Sequence, residues 1–176
     1  MHRLAPAAAL AAVGAAVGAA VWLAAAAPAS AQSGLPVPRF VTLGTDEANL
    51  RTGPGRRYPV EWVFVRRGMP VEVVAEFDTW RRIRDWEGVE GWVHQSLLSG
   101  RRGLIVTGED LASLWAEPRE GAALVARVEP GVVGRLRRCP PLDAPHRDWC
   151  WVEVSGFRGW MTRDRIWGVY DGEAVD

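Results

Sequence analysis

Gly88-Val89-Glu90-Gly91-Trp92-Val93 and Gly156-Phe157-Arg158-Gly159-Trp160-Met161 are one six-residue phrase written twice, 68 residues apart. Each copy reads glycine, apolar, charged, glycine, tryptophan, apolar. In the first, Val89 and Val93 fall on one side with Trp92 opposite. In the second, Phe157, Gly159 and Met161 alternate with Arg158 and Trp160. A period of two marks a strand with one buried face.

Working outward, the duplication extends over most of the chain. Phe40-Val41-Thr42-Leu43 matches Leu104-Ile105-Val106-Thr107 at a shift of 64, and Ala48-Asn49-Leu50-Arg51 matches Ala112-Ser113-Leu114-Trp115, with Pro54 on Pro118. Val65-Arg66-Arg67-Gly68 falls on Val128-Glu129-Pro130-Gly131 at a shift of 63. The later shift of 68 places a net insertion in the second copy, and Cys139 and Cys150 lie inside it. Each copy spans about 60–65 residues, near the lower limit for an independent core.

Within a copy the pattern is strand-like throughout. Val71, Val73, Ala75 and Phe77 share one face against Glu72 and Glu76. Cys150, Val152 and Val154 alternate with Trp149, Trp151 and Glu153. Gly53-Pro54-Gly55, Gly68-Met69-Pro70, Glu129-Pro130-Gly131 and Cys139-Pro140-Pro141 punctuate the strands. The segments 93–98 and 162–166 read as single 3₁₀ turns. Short strands at this spacing predict an all-β fold of two tandem small barrels after an N-terminal signal helix, one over 38–100 and one over 103–170. The joint Ser99-Gly100-Arg101-Arg102-Gly103 is so short that the barrels must touch in a fixed orientation. The segments 32–38 and 171–176 are expected to be disordered.

Residues 1–31 read as an export signal: Arg3, an apolar run from Ala7 to Ala27, Pro28, then Ala29-Ser30-Ala31 as a small-x-small cleavage site. Removing residues 1–31 of 176 leaves 145, with 20 Arg against 21 acids. The run of about 20 residues is also long enough for an uncleaved membrane anchor, so membrane association depends on the segment being retained. Export makes the protein periplasmic or secreted, and an oxidising compartment favours a Cys139–Cys150 disulfide. The alternative is a zinc site recruiting His146, with His94 as a further ligand, but the spacing is not Cys-x-x-Cys.

The 21 basic residues are all arginine, balanced by 21 acids. The absence of lysine excludes a P-loop or Schiff-base lysine, and neutrality argues against nucleic acid as a partner. Only His2, His94 and His146 are available for triads or metal cages. His94 with Ser96 or Ser99 is too sparse for a hydrolase. The expectation is a non-enzyme with no cofactor and no metal.

Ala48-Asn49-Leu50-Arg51-Thr52-Gly53-Pro54-Gly55, then Val65-x-x-Gly68, Trp80-x-x-Ile83 and Gly91-Trp92-Val93, resembles the bacterial SH3 (SH3b) signature. The second copy keeps Ala112-x-Leu114, Gly131, Trp151-x-x-Val154 and Gly159-Trp160-Met161, but has Ala116-Glu117-Pro118-Arg119 where the first has Thr-Gly-Pro-Gly. The mature chain is similar to exported tandem SH3-like proteins of proteobacteria. The resemblance implies a bent antiparallel barrel and, for some members, binding to cell-wall material or peptides. It implies no reaction, and relatives that cut wall peptides carry a separate cysteine-peptidase domain for which two barrels leave no room.

The aromatic set points to where a ligand sits. Tyr58, Trp80, Trp86 and Trp92, with Arg82 and Arg84 beside them, would form an aromatic groove next to arginines. Such a groove suits an extended peptide or glycan with flat apolar faces and carboxylates. Against this, Trp92 and Trp160 could simply be covered by the long loop, and the arginine pairs could form a solvated, mixed-sign surface. The expected partner is a cell-wall peptide or glycan, or an envelope protein on which one barrel face docks.

Overall fold

A computed structural model describes residues 33–176, so the signal segment 1–31 lies outside the described residues. The fold is all-β. The first sheet is built from β1 (Arg39–Leu43), β2 (Ala48–Arg51), β3 (Val60–Phe64), β4 (Pro70–Phe77), β5 (Trp80–Arg84), β6 (Glu90–His94) and β7 (Leu98–Ser99). The second uses β8 (Gly103–Val106), β9 (Ala112–Trp115), β10 (Leu124–Val128), β11 (Val133–Arg138), β12 (Trp149–Val154), β13 (Phe157–Thr162) and β14 (Ile166–Trp167). The strand orders, β3-β2-β6-β5-β4-β1-β7 and β10-β9-β13-β12-β11-β8-β14, are the same order shifted by seven. Single 3₁₀ turns at Gln95–Leu97 and Arg163–Arg165 lead into the last strand of each.

Pairing register is fixed by the two glycines of the repeated phrase. Gly91 faces Ile83, and Gly159 faces Val152. A Cβ at Gly91 would lie 2.5 Å from Leu50 Cγ and 3.0 Å from the Arg51 carbonyl oxygen; at Gly159 it would lie 2.7 Å from both Leu114 Cγ and the Trp115 oxygen. A side chain there would push β2 off β6, or β9 off β13. This register corrects the sequence alignment by two residues. The counterpart of Trp80, which faces His94, is Trp149, which faces Thr162, and not Trp151. The similar Trp-x-x-Val spacing at Trp151 is coincidental.

A bulge changes the expected alternation in β4. The register with β5 slips between Val73 and Ala75, so the inward face ends at Val73, and Phe77 is 55% exposed. The equivalent slip in β11 falls between Leu136 and Arg138.

Each barrel has its own core. Leu43, Leu50, Phe64, Val71, Val73, Ile83 and Val93 fill the first. Leu104, Val106, Leu114, Val152, Val154 and Met161 fill the second, packed around the Cys139–Cys150 disulfide. Strand β8 serves both. Leu104 and Val106 point into the second barrel while Ile105, one residue between them, belongs to the core of the first. All four β8 residues are buried, which explains an apolar run without polar alternation. Burying Ile105 contributes about 1.5–3 kcal/mol of hydrophobic stabilisation. Arg66 Nη1 donates to the Gly131 oxygen at 2.9 Å, and Phe40 packs edge-on against Trp167 at 4.9 Å between centroids.

Among the described residues, segments 33–38 and 171–176, both expected to be disordered, are held. Ser33 donates from its N–H and its hydroxyl to Glu76, each at 2.8 Å, and Val37 packs on the first core. At the other end Val175 exchanges two main-chain hydrogen bonds with Cys139, and Glu173 accepts from Arg102 at 2.5 Å. Each end has distant partners that local sequence does not reveal.

Candidate functional site

The outer face of β5, β6 and β2 carries most of the residues singled out above. With Ile83 and Val93 committed to the core, alternation sends Trp80, Arg82 and Arg84 of β5 to the opposite face, with Glu90, Trp92 and His94 of β6 beside them. Cross-strand pairs are Trp80–His94, Arg82–Trp92 and Arg84–Glu90, and Arg51 of β2 lies against Trp92.

A pocket of about 200 Å³ opens at one end of this face. Asn49, Arg51, Arg56, Trp80, His94 and Ser96 line it, closed by Leu97. The Trp80 and His94 rings meet edge to face at 5.4 Å. His94 Nδ1 is 2.7 Å from the Ser96 hydroxyl and 3.3 Å from the Ser96 N–H, which it accepts, so the 3₁₀ turn after β6 fixes the imidazole. Arg51 Nη1 donates to the Tyr58 oxygen at 2.8 Å and the Arg56 oxygen at 3.3 Å, tying the β2–β3 loop to the pocket wall. Arg56 is exposed and makes no side-chain ion pair among the described residues. The site therefore offers an aromatic edge, an imidazole, a hydroxyl and an open guanidinium within one small concavity.

The six candidate residues are not gathered into one groove. Trp80 alone lines the pocket, and it is 9% exposed. Trp92 is half-buried on the neighbouring strand position. The Tyr58 ring lies over Gly53, where a Cβ would come within 2.5 Å of it, and Arg57 sits 5.1 Å above the ring centroid. Trp86 is 42% exposed at the far tip of the β5–β6 hairpin, about 20 Å along the strand from Trp80 at 3.3 Å per residue. Asp85 shapes that tip, its Oδ1 accepting from the N–H groups of Glu87 and Val89.

Arg82 and Arg84 are already engaged. Arg82 Nη2 is 2.8 Å from Glu90, Arg84 Nη2 is 2.6 Å from Glu90, and Arg84 Nη1 is 3.3 Å from Glu72. The hydrogen bond and charge of Glu90 hold the Arg84 guanidinium above its ordinary value. A carboxylate ligand would have to displace Glu90 from both. Arg51, Arg56, Asn49 and Ser96 were not legible as site residues. Their signal is the register Arg51–Trp92, which needs the fold.

In the second barrel the same positions carry Trp115, Trp160 and Trp151. Trp151 and Trp160 face each other across β12 and β13 with ring centroids 5.4 Å apart.

The fold and the repeated register identify the class. The family model for the bacterial SH3 domain matches residues 44–100 and again 108–168, and the chain belongs to that family. A Bacillus subtilis protein named "Putative N-acetylmuramoyl-L-alanine amidase YrvJ" is 25% identical over 146 residues, covering 76% of this chain. The chain spans about a quarter of that relative's length, 26%. Among solved structures, NlpC2 and NlpC1 from Trichomonas vaginalis align at 12% and 15% identity with a TM-score of 0.32 each. They cover 74% and 78% of this chain and 48% of theirs.

Proposed function

We propose that this chain is an exported, non-catalytic binding protein whose bacterial SH3 barrels recognise peptidoglycan or an envelope peptide in the periplasm or outside the cell. The observation that carries the reading is the pocket at the end of the β5–β6 face, where Trp80, His94, Ser96 and Arg56 converge. Family membership and a relative named for a wall amidase support wall material as the ligand. The Cys139–Cys150 bridge favours an oxidising compartment.

The test is co-sedimentation with purified sacculi. The native protein is expected in the pellet, and a His94→Ala/Arg56→Ala variant with an unchanged near-ultraviolet spectrum in the supernatant. Native protein left wholly in the supernatant at every salt concentration removes the wall reading, and turnover of muropeptides removes the non-catalytic one.

A second reading is favoured by the free edge of the first sheet. Strand β3 has one neighbour and exposes Val60 and Trp62, at 43% and 57%, with Val65 just beyond it at 77%. An apolar edge of this kind suits docking on another exported protein. Cross-linking that returns no reproducible partner counts against it.

A further inference from the structure

A second concavity, much larger than the pocket, lies where the barrels meet. Its volume is about 1040 Å³, at the upper limit for single small-molecule sites and suited to an extended ligand. Arg67 from the first barrel, Arg101 and Arg102 from the joint, and Arg135 and Arg137 from β11 line it, against only Glu153 and Asp176. The chain as a whole is neutral. Five arginines against two acids in one cleft is therefore a local concentration of charge, and a concave wall focuses its field.

These arginines are not equivalent. Arg102 is held by Glu173 at 2.5 Å and Arg137 by Glu153 at 2.5 Å. Arg67 approaches Asp46 only at 3.9 Å, both side chains being exposed. Arg101 and Arg135 are exposed, and neither guanidinium has a hydrogen-bond or ion-pair partner among the described residues. Their backbones are tied in register: Arg135 pairs with Gly103, and the Leu136 N–H donates to the Arg102 oxygen at 3.1 Å. The two free guanidinium groups are thus carried on adjoining, ordered segments.

Thr42, Leu43, Val133, Leu136 and Val175 also line the cleft, with stretches of main chain between them. Gly68, Gly100 and Gly156 line the cleft, and a Cβ built on any of them would meet nothing within 4 Å. Ser99 and Ser155 add hydroxyls. Planar guanidinium groups pair with carboxylates two bonds at a time, and the open space over Gly68, Gly100 and Gly156 leaves room for a peptide main chain to lie close. We propose that the interbarrel cleft is a binding site for an extended acidic peptide, its carboxylates received by Arg101, Arg135 and Arg67. The site uses none of the residues of the Trp80–His94 pocket. It rests on the reading above only in taking the occupant as a ligand and not as a substrate.

The test is titration of the full chain with hexaglutamate, hexaglutamine and inorganic phosphate at low ionic strength, for the native protein and Arg101→Ala/Arg135→Ala. Both side chains are exposed and unpartnered, so the variant is expected to melt with the native protein. Hexaglutamate is expected to bind with a dissociation constant below about 1 mM. It should weaken at least about tenfold in the variant and weaken further with salt, while hexaglutamine does not bind. Sacculus co-sedimentation is expected to be unchanged in the variant, so this site and the outer pocket fail separately. Absence of hexaglutamate binding, equal binding of hexaglutamine, or equal affinity in the variant overturns the proposal. Phosphate competing at the concentration of the peptide also overturns it, since the cleft would then be a general anion surface.

Discussion

The Tyr170 hydroxyl, at the end of the second barrel, donates to Glu72 Oε1 on β4 of the first at 2.8 Å. The same ring packs on Phe40 with centroids 4.6 Å apart. Burial raises the Tyr170 pKa above its ordinary 10.0, and the hydrogen bond and charge of Glu72, with the charge of Glu173, push it further against the opposing charge of Arg102. A raised acid favours the folded state fully below its ordinary pKa, and that contribution is lost as pH climbs through the folded value. Urea denaturation from about pH 8 to pH 12 should show alkaline loss of stability in the native protein and a flatter profile in Tyr170→Phe. At neutral pH the variant should lose about 1–2 kcal/mol. Parallel alkaline profiles would contradict this.

Glu76 is expected to behave in the opposite sense. Its side chain is buried and meets Arg39 at 2.5 Å, Arg81 at 3.1 Å and Ser33. Burial pushes its pKa up, but the hydrogen bonds from Ser33 and Arg39 and the Arg39 charge outweigh it, leaving the pKa below the ordinary 4.5. A depressed carboxyl stabilises the fold above that ordinary value and loses its contribution as pH falls through the folded one. Glu76→Gln leaves Arg81 buried without its charge partner and should cost about 3–5 kcal/mol at neutral pH. Its acid limb should be flatter than the native one. An unchanged denaturation midpoint would show that Arg81's bond to Gln95 suffices.

Reduction of Cys139–Cys150, separated by 11 residues, should lower stability by roughly 2–3 kcal/mol. Because Cys139 also pairs with Val175, reduction should speed amide hydrogen exchange at Val175 more than at Val71. Equal protection before and after reduction would show that the contacts of Arg102 and Arg163 hold the tail without the bridge.

The two register glycines give a matched comparison. Gly91→Ala and Gly159→Ala should each cost about 1–3 kcal/mol through overpacking against Leu50 and Leu114. Gly100→Ala, where a Cβ meets nothing within 4 Å, should be close to neutral. Thermal melts of the three variants decide it, and a neutral Gly91→Ala would mean β2 can move.

The duplication was legible because the constraints that fix it are local. Gly91 and Gly159 sit at close approaches between strands, and the Gly68 and Gly131 turns both need positive φ, 80° and 81°. Other features were hidden because their causes are distant. The β4 bulge that exposes Phe77 interrupts a perfect alternation in the letters. Glu173 finds Arg102 across 71 residues. On the candidate site, alternation put Trp92 opposite Val89 and Val93, and composition grouped Trp80 and Arg82 with it; the shared outer face came from the β5–β6 register. The sequence could not show that Ser96 and Leu97 of the 3₁₀ turn line a pocket with Trp80, that Glu90 occupies both arginines, or that the length of β5 separates Trp86 from the pocket.

The two-sided strand β8 has a bearing on how the molecule is taken apart. A fragment ending at the apparent linker, near residue 102, would leave Ile105's place in the first core hollow, while one beginning there would present Ile105 to water. Dissection at the short joint between the repeats should give two sticky, half-finished pieces, so domain-deletion experiments would report aggregation instead of function.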